Sequence, residues 1–237
     1  MITPEALFDR LFPQGHEITS EGLFFAGTAK AGPDLISIIG TREKAHIGID
    51  LAMRMAAEVI RIMKERPGSP ILLLVDTGGQ KMARRDELLG LNGYIAHLAK
   101  CLDVARRRGH RIIGLVYGEA VSAGFLSSSL LADACYALPE AEVRVMNLPA
   151  MSRVTKIPVE RLEELSKDSA VFAPGVANYV AMGAVRETWD GDLAAALVKA
   201  LEERPDANVD ARRDYGEQRN GRTLARSVSQ RVRHDAA

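Results

Sequence analysis

The chain has 237 residues, enough for one large domain or two small ones, and its 47% hydrophobic and 26% charged content is that of an ordinary soluble globular protein. Thirty-one lysines and arginines balance 31 acids and only 5% of residues are aromatic, which argues against nucleic acid as a default partner. No apolar stretch approaches the ~20 residues of a membrane helix.

Met1 to Arg10 carries no basic segment followed by an apolar core, so no secretory signal is expected and a cytoplasmic location is. Cys101 and Cys135 form no CxxC or His/Cys cluster with zinc-ligand spacing, and they read as two buried, reduced thiols.

Residues 1–22 contain Pro4, Pro13, Gly15 and Gly22 and read as an irregular lead-in. Leu23–Ala26 and Leu35–Ile39 are predicted strands around Gly27 and the Gly32-Pro33 turn. A helix is predicted from near Ala45 to near Lys64, with Arg54, Glu58, Arg61 and Glu65 on one wet face, ended by Arg66-Pro67-Gly68-Ser69-Pro70. The strand Ile71–Val75 then leads into a turn, Asp76–Lys81. A second long helix is predicted from near Arg85 to near Arg107. Leu91, Ile95, Leu98, Leu102 and Ala105 line one face of it, and Gly90, Gly93, His97 and Lys100 another. Each glycine inside such a helix costs ~1 kcal/mol relative to alanine, which implies close packing there.

The strand Arg111–Tyr117 leads to a second turn and a short helix, Ala123–Leu131. Glu142–Met146 is a further strand. A helix follows Pro158 as far as Lys167, another segment runs from Gly175 to Met182, Ala184–Trp189 is extended, and Asp192–Glu202 is an amphipathic helix. Residues 204–237 hold eight arginines against five acids and read as an arginine-rich flexible tail. Within it, Leu224, Val228 and Val232 at four-residue spacing leave one short docking helix open. The rhythm of strand, glycine turn and long helix over residues 23–203 is that of an α/β domain with right-handed crossovers.

Two segments carry chemistry. Gly78-Gly79 follows an apolar strand, and glycine lets backbone approach a ligand closely. Ser122-Ala123-Gly124 follows another apolar strand and opens a helix, where N–H groups lack intrahelical partners and the dipole is positive. Donors from two such bends, converging on one point, would make an oxyanion hole for enolate or acyl chemistry.

Ile71–Gln80, the helix after it, and Glu119-Ala120-Val121-Ser122-Ala123-Gly124-Phe125 together resemble the crotonase-like superfamily, as does Ala181-Met182-Gly183-Ala184-Val185-Arg186-Glu187. Asp76-Thr77-Gly78-Gly79-Gln80, Glu87, Gly90, His97 and Lys100 further resemble the C-domain half of its carboxyltransferases. The run from Gly22 to near Glu203 is most similar to gamma subunits of biotin-independent malonate decarboxylases. The resemblance implies an α/β, crotonase-like (ClpP/crotonase) spiral of strand-strand-helix units. It implies a homologous beta subunit as partner, with the active site between the two chains. It implies a malonyl thioester on the phosphoribosyl-dephospho-CoA arm of an acyl carrier protein, decarboxylated to acetyl thioester, with no cofactor bound by this chain itself. Gly78, Gly79, Ser122, Ala123 and Gly124 would form the pocket. Gln80, Phe125, Asn147 and His97 would face substrate, and Arg84 and Arg85 the carrier's phosphate arm or acidic surface. Carboxyltransferase relatives usually carry a double glycine where this chain has Ser122-Ala123, which narrows the room above those amides.

Other readings stay open. His97 also fits a satisfied core histidine, Arg84-Arg85 a solvated face, and Asp76 a turn cap. Glu87 and Glu119 are the candidate carboxylates of a stand-alone hydratase or isomerase, although Glu119 could instead buttress its turn. A carboxyltransferase subunit of a biotin-dependent system, or a catalytically degenerate structural subunit, would look similar. Gly118–Gly124 also resembles the nucleophile turn of caseinolytic-type serine peptidases. That family's histidine position falls on Asn147 here, which argues against a serine nucleophile.

Overall fold

The computed structural model describes residues 2–168, 174–203 and 209–236. Helix α1 (Pro4–Leu11) starts on a proline, and the Thr3 hydroxyl accepts from the Ala6 N–H at its N-terminus. Strands β1 (His16–Glu21), β2 (Phe24–Ala31) and β3 (Asp34–Thr41) make an antiparallel meander. The lead-in is therefore not irregular: it supplies a helix and an edge strand. Its regularity comes from Leu7, Phe8 and Leu11, which share one buried helix face, with Phe8 edge-on to Phe25 at 5.1 Å.

A short strand, β4 (Ala45–Ile47), precedes α2 (Ile49–Glu65). Next come β5 (Ile71–Gln80), α3 (Arg84–Leu88), α4 (Leu91–Arg107), β6 (Ile112–Val121) and α5 (Ser122–Leu126). The single helix expected over Arg85–Arg107 is divided at Gly90, whose φ of 79° is left-handed and stops helical propagation. A 3-10 turn at Ser129–Leu131 leads to β7 (Ala134–Ala137) and β8 (Glu142–Arg144). Helices α6 (Leu148–Thr155), α7 (Val159–Asp168), α8 (Val176–Ala181), α9 (Leu193–Glu202), α10 (Arg212–Gln218) and α11 (Ala225–Asp235) complete the described chain.

The sheet runs β1-β2-β3-β5-β6-β7, parallel from β3 onward, while β4 pairs with the far end of β5 and β8 with the far end of β6. Its two faces separate by strand alternation. Leu73 and Val75 point toward Val59, Ile62, Leu98 and Leu102 of α2 and α4. Leu72 and Leu74 point toward Leu7 and Leu11 of α1 and Leu193 and Leu197 of α9. Each such fully buried side chain contributes roughly 1.5–3 kcal/mol.

The tail also departs from expectation, since α10 and α11 occupy much of it; residues 204–208 and Ala237 lie outside the described residues. Its arginines act as tethers. Arg212 donates to the Leu130 carbonyl at 2.5 Å and Arg219 to the Val180 carbonyl at 2.9 Å, while Arg226 pairs with Asp214 and Glu217. Helix α11 covers the segment left open as a docking helix, and Leu224, Val228 and Val232 are exposed on this chain.

Candidate active site

The expected turn at Asp76–Lys81 is instead the last stretch of β5. The strand continues to Gln80 because β4 takes over as its neighbour, and the Lys81 N–H still donates to the Ile47 carbonyl. Asp76 falls at the irregularity in the β5–β6 register, between Val75 and Thr77. Beyond it the chain turns left-handed at Gly79, with φ of 100°. A methyl group on Gly79 would lie 3.2 Å from the Ser122 Cβ and 3.4 Å from the Val121 carbonyl oxygen. The two bends thus meet in direct contact.

Ser122 itself has φ of 50°, a left-handed conformation costing a non-glycine residue about 1–2 kcal/mol. It converts the end of β6 into α5 within one residue. No side chain caps the first turn of α5. The helix seats against β5 because Gly124 has no Cβ; one would lie 2.5 Å from Thr77 Oγ1 and 3.2 Å from Ile47.

One expected donor is engaged elsewhere. The Gly79 N–H donates to Thr77 Oγ1 at 3.1 Å, and that hydroxyl donates to the Ala45 carbonyl at 2.8 Å. Gly79 therefore gives closeness of approach, and its amide is not open to a ligand.

Beneath the bends sits a charged node that sequence reasoning saw only in part. Asp76 is buried, as the turn-cap reading required. Its Oδ1 accepts from the Glu119 N–H at 2.8 Å and its Oδ2 from the Lys44 N–H at 2.9 Å. Glu119, also buried, meets Lys44 Nζ at 2.5 Å and Arg144 Nη2 at 2.7 Å. Burial alone pushes the Glu119 carboxyl up. The hydrogen bonds and charges of Lys44 and Arg144 outweigh it and hold the group below its ordinary 4.5. Lys44 is held above its ordinary range by the same hydrogen bond and charge of Glu119. Glu119 thus buttresses its turn. Lys44 left no signal in the sequence, because its left-handed turn (φ 58° at Glu43, 51° at Lys44) uses neither glycine nor asparagine.

Of the expected pocket residues, Gly79 meets Ser122 and Gly124 packs on Thr77, while Gly78 lies against His46 and Gln80 pairs with Ile47. The other expected site residues have different surroundings. Phe125 is fully buried and edge-on to Tyr179 at 6.0 Å, so it belongs to the core. The Asn147 side chain accepts the Ala150 N–H at 2.8 Å and caps α6, beside a cavity of about 480 Å³ that Arg144 and Gly175 also line. His97 is exposed on α4, its Nε2 3.7 Å from Cys101 Sγ. Arg85 pairs with Asp50 at 2.8 Å, Arg84 is exposed, and Glu87 faces solvent on α3. Among the described residues no group of three or more His, Cys, Asp or Glu could hold a metal ion, and no helix is long and apolar enough to cross a membrane.

A parallel-stranded spiral whose two adjacent strand ends bend into contact at small residues is that of the crotonase-like fold of the carboxyltransferase type, and solved structures of that type share it. One is a Pseudomonas malonate decarboxylase hetero-tetramer in complex with coenzyme A, with a TM-score of 0.78 at 22% identity, covering 95% of this chain and 97% of that one. Another is the Pseudomonas MdcD-MdcE hetero-dimer, with a TM-score of 0.77 at 22% identity and 98% coverage of both chains. The chain belongs to the malonate decarboxylase gamma subunit family, whose model matches residues 42–236. It is also 34% identical over 233 residues to the malonyl-S-ACP:biotin-protein carboxyltransferase MADD of Malonomonas rubra, covering 85% of this chain and 80% of that protein. The family is that of a carboxyl-transferring and decarboxylating enzyme complex.

Proposed function

We propose that this chain, paired with a homologous beta subunit, forms the site that decarboxylates malonyl-S-acyl-carrier-protein to acetyl-S-acyl-carrier-protein. In that step the bond between Cα and the carboxylate breaks and CO2 departs. The electron pair passes into an enolate whose charge rests on the thioester oxygen, and a proton later returns to carbon. Backbone N–H groups at Ser122, Ala123 and Gly124 would hold the carboxylate side of the substrate, with the partner's amides on the thioester oxygen. One donor of this kind is worth about 3–4 kcal/mol in the transition state.

The observation that carries this reading is the close approach of Gly79 to Ser122, which sets the two bends side by side. Support for the partner comes from exposed apolar residues near the bends: Met82 and Leu88 beyond β5, and Val145 and Met146 beyond β8, which pairs with the end of β6. The carrier protein, its phosphoribosyl-dephospho-CoA arm and the cytoplasmic location belong to the same proposal.

A second reading has its own support. The 34% identity is to a carboxyltransferase that passes the carboxyl group to a biotin protein. Supplying the assembled complex with malonyl thioester, with and without a biotinylated carrier, separates the two: direct CO2 release marks the first, and carboxybiotin the second.

Ser122 gives the test of the pocket. Ser122→Gly relieves the left-handed strain and opens the room above the amides, so CO2 release by the complex stays within about threefold of wild type. Ser122→Val places a branched side chain at φ of 50° against Gly79, and turnover drops at least about a hundredfold. Loss of turnover in Ser122→Gly would instead make the hydroxyl a participant and remove the backbone pocket from the mechanism.

A further inference from the structure

Three segments arrive at the two bends from different parts of the chain: the Glu43-Lys44 turn, the end of β5 and the end of β6, with β8 laid alongside the last. Val121, which precedes Ser122, pairs with Arg144 across the β6–β8 ladder. Glu119 stands where all of these meet. Asp76 on β5 holds its backbone, Lys44 on the turn takes Oε1, and Arg144 on β8 takes Oε2. Arg144 is itself steadied by Glu142. Gly118 passes against the Asp76 carboxylate so closely that no side chain fits there. Among the described residues, Lys44 and Arg144 act on the Glu119 carboxylate, and Glu142 and Asp76 act on Lys44 beside it.

We infer that Glu119 is a positioning residue: its carboxylate, bridged between Lys44 on the β3–β4 turn and Arg144 on β8, holds the end of β6, and with it the first turn of α5, in place against the end of β5. The inference rests on the decarboxylase reading for its activity readout only.

Stability alone does not explain the arrangement. Lys44 and Arg144 together outweigh the desolvation of the Glu119 carboxylate, but a well-packed apolar side chain would serve the fold as well. The turn that brings Lys44 in contains two consecutive left-handed residues without glycine, a further cost the fold tolerates. What the bridge supplies is a set distance. It links the β3–β4 connection and β8 to the end of β6 just before Ser122 launches α5, and a displacement of about 1 Å at a reacting centre can cost a hundredfold in rate.

The test uses the full chain, co-purified with its beta-type partner, as wild type, Glu119→Gln, Lys44→Met and the double variant. Steady-state decarboxylation of malonyl thioester is measured beside amide hydrogen exchange at Ala123 and Gly124 and thermal unfolding. Each single variant should lower kcat about tenfold or more with KM within about threefold, and the double variant should be no worse than the poorer single one. Exchange at Ala123 and Gly124 should quicken about tenfold while the complex stays assembled. A lower unfolding temperature with kcat unchanged, a rise in KM alone, or additive losses would overturn the inference. If the wild-type complex releases no CO2, the decarboxylase reading fails by itself, and exchange then decides: unchanged protection at both amides in folded Glu119→Gln would overturn the positioning role. Should Glu119→Gln fail to fold, Lys44→Met, altered at a half-exposed position, carries the same comparison.

Discussion

Thr77 shows how one hydroxyl can decide which amides a site offers. It accepts from Gly79 and donates to Ala45, so it closes one donor of the first bend while binding β4 to β5. Thr77→Val keeps the shape but leaves a buried N–H and a buried carbonyl without partners. It should destabilise the chain by about 1–3 kcal/mol in urea unfolding; an unchanged midpoint would mean that other acceptors take over. Glu119 predicts a pH dependence. Its folded pKa lies below the ordinary 4.5, so the carboxylate stabilises the fold above that value, and the stabilisation is lost as pH falls through the folded pKa. Melting curves of wild type and Glu119→Gln should therefore converge on acidification below pH 4.5. A gap that stays constant down that range would show that ionisation plays no part. Individual residues were the least legible level in the sequence. Gly79 and Ser122 were readable as a pair of bends, and Asp76 as a cap. The Gly79–Thr77 hydrogen bond and the Lys44 bridge were not, because both depend on segments that only tertiary pairing brings together.

At the scale of elements, strands and helices obeyed local rules where those rules were strong. The apolar run Ile71–Val75 and the wet face of α2 announced themselves by period. Boundaries moved where pairing overrode propensity: β5 and β6 each continue past the expected turn because β4 and β8 supply new partners. The strand β4 was absorbed into the expected helix, since Ala45–Ile47 is too short to show alternation. The division between α3 and α4 rests on Gly90. Gly90→Ala puts a Cβ on a residue at φ of 79°, with a cost of about 1–2 kcal/mol. A chemical-denaturation midpoint that rises instead would show that one continuous helix is tolerated there. The tail differs from the expected flexible segment for a related reason. Arg212 and Arg219 donate to the Leu130 and Val180 carbonyls, contacts that only tertiary packing brings together.

For the whole molecule, the sheet and its two apolar faces place both bends at the same end of adjacent parallel strands, which is where this topology gathers ligand-binding loops. One chain leaves that end flanked by exposed Met82, Leu88, Val145 and Met146, and the proposed chemistry needs a second set of donors from a partner. The most direct measurement is CO2 release from malonyl thioester by this chain alone, by the homologous beta-type subunit alone, and by the two mixed. The mixture should release CO2 while each component is silent. Turnover by this chain in isolation, or an inactive mixture that has assembled, would contradict a shared decarboxylating site.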